Sequence, residues 1–316
     1  MKNDEIQQQF DSSFILKSVE EEKKLEQKLK KQEVKKYFIR LFKFNSLEIA
    51  ISGMLLAIQL ITMYISKMTI LKVIPIEIEF LFYILYGPLI GPIKGALLAF
   101  LGDTLTMLIN GTIGQWYYGY SLVSIAIPII SYLFVLLFKK NKYAQIIMPI
   151  TIIVIGLTIA ALTLFYFSKD GQIALKGSRK NKYGNSPISI KIVIGMMAVY
   201  TIIGISACLA FFVIYQKTKK EKWKNYLLIF SLIIFILIIF RWAFGSMLYI
   251  DYYNKIIAPK SKNPMVLKDH YLTFMYPIVI KSLFTIPIYT LIATPVFNIV
   301  EILKEKYIEK NYQITH

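Results

Sequence analysis

The feature that most constrains this chain is a series of apolar runs between residues 49 and 300. Residues 49–66 (IAISGMLLAIQLITMYIS) carry no charge. A helix of about 20 such residues crosses a bilayer core. Lipid offers no partner for a free backbone N–H or C=O, so runs of this kind fold as helices. Residues 80–93 (FLFYILYGPLIGPI) form a shorter run interrupted by two prolines, and residues 95–109 follow, broken by Asp103. The runs 116–138, 143–168 and 192–216 are clean, 225–250 is interrupted only by Arg241, and 271–300 contains Lys281. Eight helices are expected, the second and third short and tightly joined, in an all-α integral membrane bundle.

Composition excludes a soluble domain of this length. Hydrophobic residues make up 56% and charged residues 18%, where soluble domains carry roughly 25% charged. Lys and Arg number 37 against 19 Asp and Glu, a formal net charge of +18. Most of that charge lies beside apolar runs, so it is read as a topology signal and a contact for anionic lipids, not for nucleic acid. Eight spans put both termini on one side, together with KKNK (139–142) and KTKKEKWK (217–224). By the positive-inside rule that side is cytoplasmic, and the expected location is the plasma membrane, multi-pass. The loop 169–191 runs against the rule, with Lys169, Lys176, Arg179, Lys180, Lys182 and Lys191 on the outer side. The opening MKNDEIQQQF is too polar for a signal peptide, so insertion is expected to depend on the spans themselves.

Residues 1–45 form a polar extension. SVEEEKKLEQKLKKQEVKKYFIRLFKF is acidic at its start and basic at its end, which suits a helix dipole. Leu25, Leu29, Val34, Phe38, Leu41 and Phe42 give it a loose apolar stripe. It reads either as an interfacial or partner helix on the cytoplasmic leaflet or as a solvated tail.

Between the second and third helices, Gly87, Gly91, Gly95 and Ala99 recur every four residues, and Pro88 and Pro92 remove two backbone donors. A tight corner buried in protein is expected there. GPLIGPIKG lacks the Gly-Lys-Ser/Thr ending of a phosphate-binding loop, so ATP hydrolysis by this chain is not expected. In the first span, Ala50, Gly53 and Ala57 share one face. They suit either docking of another membrane subunit or packing against a helix of the same chain; on the residues alone, internal packing is the simpler reading.

Asp103, Arg241 and Lys281 are charges within apolar spans, where they usually face a bundle interior or a wet cavity. They define either a polar ligand pocket, with a cation meeting a carboxylate, or a structural Asp103–Arg241 ion pair. Lys281 can also snorkel to the interface. The stretch from Asn110 to Tyr120 carries Trp116, Tyr117, Tyr118 and Tyr120. These rings suit an interfacial belt or a stacking surface for a flat heteroaromatic ligand. Catalytic chemistry has little foothold. His270 and His316 lack metal-ligand or base partners, Cys208 is the only cysteine, and only Glu77 and Glu79 pair carboxylates. No catalytic residue, metal or cofactor is expected.

At this point the pattern resembles a known family. SLEIAISGMLLAIQLITMYIS, then IPIEIEFLFYILYGPLIGPIKGALLAFLGDTLTMLINGTIGQWYYGYSLVSIAIPIISYLF, is similar to the substrate-binding S component of energy-coupling factor vitamin transporters. The corner GPLIGPIKGALLAFLGD carries most of the likeness, and GQWYYGYSLVSIAI looks like the opening of the fourth helix in the folate branch. The family's Ala-xxx-Ala in the first helix reads Gly53-xxx-Ala57 here. The resemblance is good over about 46–140 and weaker at 225–300. It implies a six-helix core, with residues 46–142 as core helices one to four and 217–316 as helices five and six plus a tail. Residues 143–216 would then be an inserted helical pair.

It further implies that the chain binds a vitamin, folate first, from outside in a pocket closed by the first external loop. The chain would then dock through Ala50, Gly53 and Ala57 on a transmembrane coupling subunit carrying two cytoplasmic ATPases. In the family the whole bundle topples to deliver its cargo. Groups near the outer helix ends would form the pocket: Lys72 in the 67–79 loop, Asp103, Asn110, Trp116, Tyr117, Tyr120, Arg241 and Tyr276. The alternatives are an ion-coupled secondary transporter, which should show broken helices in both halves, or a membrane enzyme, which should show clustered carboxylates or histidines.

Overall fold

The computed structural model describes residues 42–68, 77–140, 143–167, 172–173, 188–259, 264–304 and 306. Most of the 1–45 extension and Lys72 lie outside the described residues. The chain divides into two units, 1–45 and 46–316. Of the first, Phe42 is exposed.

The second unit is a bundle of long helices. In chain order they are α1 (Ser46–Met68), α2 (Glu79–Ile90), α3 (Pro92–Ile109), α4 (Tyr118–Lys140), α5 (Ala144–Phe167) and α6 (Ile190–Thr218). Then come α7 (Glu221–Ile236), a π-helical stretch Leu237–Ala243, α8 (Phe244–Tyr252), a second π-helical stretch Tyr253–Ile257, and α9 (Leu267–Lys304). Since α7, α8 and the π stretches run on continuously, these helices answer one for one to the eight apolar runs. Seven are long and apolar enough to cross a membrane, and α2 is shorter. The protein is therefore an all-α, multi-pass membrane bundle. Among the described residues the departure is a pair of two-residue antiparallel strands, Gln172–Ile173 and Ile188–Ser189.

The expected corner falls on one residue. Gly91 takes φ +117°, a conformation that side chains rarely adopt, and Pro92 then opens α3, where its missing N–H costs nothing. The four-residue spacing of small side chains packs this corner. A Cβ on Gly87 would sit 1.9 Å from the Pro128 carbonyl oxygen of α4, and one on Gly95 would sit 2.8 Å from the Tyr86 backbone. Ala99 is fully buried. Thus α2, α3 and α4 pack as one tight group, with α1 against α2 and α3.

The Glu221–Ile257 span runs through the centre of the bundle. Its residues from Leu227 to Ile234 are all buried, as expected of a helix apolar on every side. It packs against α9 on one side and the α5–α6 pair on the other. Trp242 is fully buried, donates its indole N–H to Ser282 Oγ at 2.9 Å and meets the Tyr200 ring of α6 at 5.3 Å. A π stretch breaks the regular ladder and leaves carbonyls to satisfy. The Tyr271 hydroxyl serves this need, lying 3.1 Å from both the Trp242 and Ala243 carbonyls.

At the Gly91 end, Lys94 is buried and reaches Glu48 Oε2 at 2.6 Å, tying α1 to α3. At the end of α4 and α9, Lys139 pairs with Glu301, whose other oxygen accepts from Asn225 Nδ2 at 3.0 Å.

Candidate binding cleft and docking face

Two membrane-depth polar groups organise the interior. Asp103 accepts hydrogen bonds from Ser121 Oγ at 3.2 Å and from the Tyr83 hydroxyl at 3.4 Å. Arg241 donates from Nη1 to Glu77 Oε2, and its guanidinium lies 5.2 Å from the centre of the Phe80 ring. The Asp103–Arg241 ion pair considered from the sequence does not form. Glu77, immediately before α2, takes the arginine, and hydroxyls satisfy the aspartate instead. The Tyr289 hydroxyl, from α9, holds Glu77 by its backbone carbonyl.

These contacts define a cleft between the start of α2, the first π stretch and α9. Glu77, Phe80, Leu237, Arg241, Ile278, Lys281, Ser282, Thr285 and Tyr289 line it. It holds about 280 Å³ of empty space including its open mouth. Its enclosed part has room for roughly one water molecule. Pockets for drug-sized ligands run from about 300 Å³ upward, so a ligand of vitamin size needs side chains here to move.

An aromatic rim lies at the end of the bundle formed by the start of α4 and the end of α8. Trp116 and Tyr120 are about one-third exposed, whereas Tyr117 is buried and donates to Asp251 of α8. Burial first, and then that hydrogen bond, hold the Tyr117 phenol well above its ordinary pKa, so it stays a donor. The Tyr117 ring lies 5.7 Å from Tyr120, and Tyr120 lies 5.5 Å from Tyr252. Lys255 closes the group, 2.9 Å from the Tyr118 hydroxyl and 2.8 Å from Asp251. Tyr120 also lies within electrostatic reach of Glu77 and Arg241.

The structure thus brings Tyr117 and Tyr120 to one region with Arg241, and Trp116 to the same rim. Asn110 caps α3, its backbone N–H donating to Thr106 O at 3.0 Å. Tyr276 turns elsewhere, its hydroxyl 3.8 Å from Met196 Sδ of α6. Sequence reasoning missed Glu77, Tyr289 and Asp251 as partners in this region. Glu77 carried a signal, since it is one of two acidic residues just before an apolar run, but its partner lies 164 positions away. Among the described residues, no three His, Cys, Asp or Glu side chains converge on a metal position.

The second surface is on α1. Ser52, Leu55 and Gln59 face inward, and Gln59 accepts from the Tyr86 hydroxyl and fits against Gly102. Ala50, Gly53 and Ala57 are all exposed, and a Cβ on Gly53 would meet nothing within 4 Å. The inward side of α1 is the serine–glutamine side, and among the described residues no helix packs on the small-residue face, against the simpler reading of the sequence.

Residues 47–169 match the family model described as ECF transporter, substrate-specific component. The match covers less than half of the chain, from α1 through α5, and so takes in the first helix of the expected insertion. No curated protein and no solved structure matches the chain.

Proposed function

We propose that this chain is the substrate-binding membrane subunit of an energy-coupling factor transporter for a water-soluble vitamin. The observation that carries the reading is the uncovered Ala50–Gly53–Ala57 face, which lies inside the matched segment. Lipid contact alone does not call for small residues, whereas a close, detachable helix interface does. The cleft supports the second half of the reading: a cation over an aromatic ring, beside a rim of tyrosines and a tryptophan, suits a flat, anionic heteroaromatic molecule, folate first. On this reading Arg241 meets the substrate carboxylate and Trp116 and Tyr120 stack on its ring, with Asp103 and Asn110 nearby. Lys72, in the 67–79 loop, completes the proposed set; Tyr276, which meets Met196 instead, is left out of it.

The basic turns at 139–142 and 217–224 face the cytoplasm, as do both termini. The chain docks on a transmembrane coupling subunit whose two cytoplasmic ATPases supply the energy, so the chain itself is a transporter subunit and not an enzyme. Helices α1 to α4 and the 217–316 segment form the core, the α5–α6 pair is an addition to it, and anionic lipids surround the basic ends.

The test is direct. The chain, purified in detergent, is analysed by mass spectrometry for a co-purifying small molecule. A vitamin near one per chain is expected. Concentrative uptake by the chain alone in liposomes, driven by an ion gradient, would sink the proposal in favour of a secondary transporter.

A further inference from the structure

We propose that Glu77 is an internal stand-in for the substrate: its carboxylate holds the Arg241 guanidinium until a carboxylate of the incoming molecule takes its place. The inference rests on reading the cleft as the substrate site, and it assigns the substrate a carboxylate.

The two partners are unequally fixed. Arg241 belongs to the packed central helix, lies against Phe80, and its side chain is 17% exposed, while that of Glu77 is 43% exposed. A guanidinium this deep in a bundle needs an anion. Glu77 meets the need from a position outside any helix, two residues before α2 begins. Glu79 lies within electrostatic reach of Arg241, but among the described residues makes no ion pair with it. Asp103 is held by Ser121 and Tyr83. Withdrawal of Glu77 therefore leaves the fork of Arg241 free for two parallel N–H···O bonds to a planar carboxylate.

A second cation lines the same cleft. Lys281, within the apolar run of α9, makes no ion pair among the described residues. Its neighbours are committed: Thr285 Oγ1 donates to the Lys281 carbonyl at 3.0 Å, and Ser282 Oγ donates to the Ile278 carbonyl at 2.8 Å. Arg241 and Lys281 both line one cleft, where Glu77 pairs with Arg241, which favours a molecule that brings its own negative charge. Binding by displacement lowers apparent affinity by the fraction of chains in which Glu77 has left Arg241. Removing the competing charge should then raise it.

The experiment uses the full chain in nanodiscs and measures equilibrium binding to two sets of vitamins. Folic acid, biotin, pantothenate and nicotinate carry a carboxylate; riboflavin, thiamine and pyridoxine do not. The variants are Glu77→Gln, Lys281→Gln and the double variant Glu77→Gln with Arg241→Gln, which leaves neither charge of the pair stranded. A carboxylate vitamin should bind the wild type and bind Glu77→Gln about two- to fivefold more tightly, the range expected for a partly exposed ion pair. Lys281→Gln should weaken it about threefold or more, and the double variant should bind about tenfold or more weakly than Glu77→Gln. Binding of a vitamin without a carboxylate, or weaker carboxylate binding by Glu77→Gln, overturns the stand-in and leaves the carrier reading intact. Binding of nothing in the panel by any variant overturns both.

Discussion

The first span, Glu48–Ser66, and the central one, Glu221–Ile257, are both apolar enough to cross a membrane, yet 17% of the former's most apolar stretch and 72% of the latter's is buried inside the protein. In water such a difference would be written in polarity, because an exposed face must be solvated. In lipid it is not, since hydrocarbon accepts an apolar side chain as readily as a protein core does. What separates the two helices is size and shape. The central span carries large branched and aromatic residues on every side and is filled around Trp242. The outward face of α1 alternates small residues with Met54, Ile58 and Ile61, all exposed among the described residues.

Four predictions would break or sharpen this contrast. The largest effect is expected from placing the same side chain at two glycines. Gly87→Leu drives a side chain into the Pro128 carbonyl and should abolish recovery of folded protein from detergent. Gly53→Leu, facing open space, should leave thermal stability within about 0.5 kcal/mol and vitamin binding intact. Gly53→Leu and Ala57→Trp should nonetheless abolish uptake in cells carrying the coupling subunit. If vitamin binding is lost while assembly persists, the docking assignment is wrong.

Next comes the central helix itself. Trp242→Ala removes a fully buried ring and its bond to Ser282, and should cost about 3–5 kcal/mol in denaturant or thermal unfolding. A loss below about 1 kcal/mol would show that the centre of the bundle is less tightly filled than its burial indicates.

The rim should respond less. Stacking on an aromatic contributes roughly 1–3 kcal/mol per ring. Trp116→Ala and Tyr120→Ala should therefore each weaken vitamin binding by about tenfold or more without lowering expression, as isothermal titration would report. Tyr117→Phe provides the contrast: it loses the bond to Asp251 and should reduce stability more than affinity. The smallest effect belongs to Met54→Ala on the open face of α1, within about 0.5 kcal/mol in the isolated chain. A larger change would mean that α1 is covered by something else, such as a second copy of the chain.

Much of the fold was legible residue by residue. The proline-glycine pattern at 87–95 reads as a corner because glycine suits the backbone at Gly91 and the first helical position is where proline loses nothing. The four-residue spacing of Gly87, Gly91, Gly95 and Ala99 reads as close packing, and the helices meet there. Tyr276 shows the limit. Helical periodicity gave its distance along α9 but not which neighbour its side faces, and α6 receives it. Arg241 shows it more sharply. A charge in an apolar run must find a partner, and the sequence offered Asp103, a fellow member of the hydrophobic spans, ahead of Glu77 just before one.

The sequence by itself therefore determined the order of the apolar helices among the described residues, the position of the corner, and the presence of charges that lipid would not tolerate alone. Those are local properties, set by apolar run length, backbone freedom and the cost of burying an ion. Only the tertiary structure decided that α1 turns its small residues away from the bundle, that the central helix slips into a π stretch at Arg241, and that Glu77 meets Arg241 in the cleft. Each of these depends on which of several equally apolar surfaces meet. In a membrane that choice rests on packing and on a few polar bonds between residues far apart in the chain.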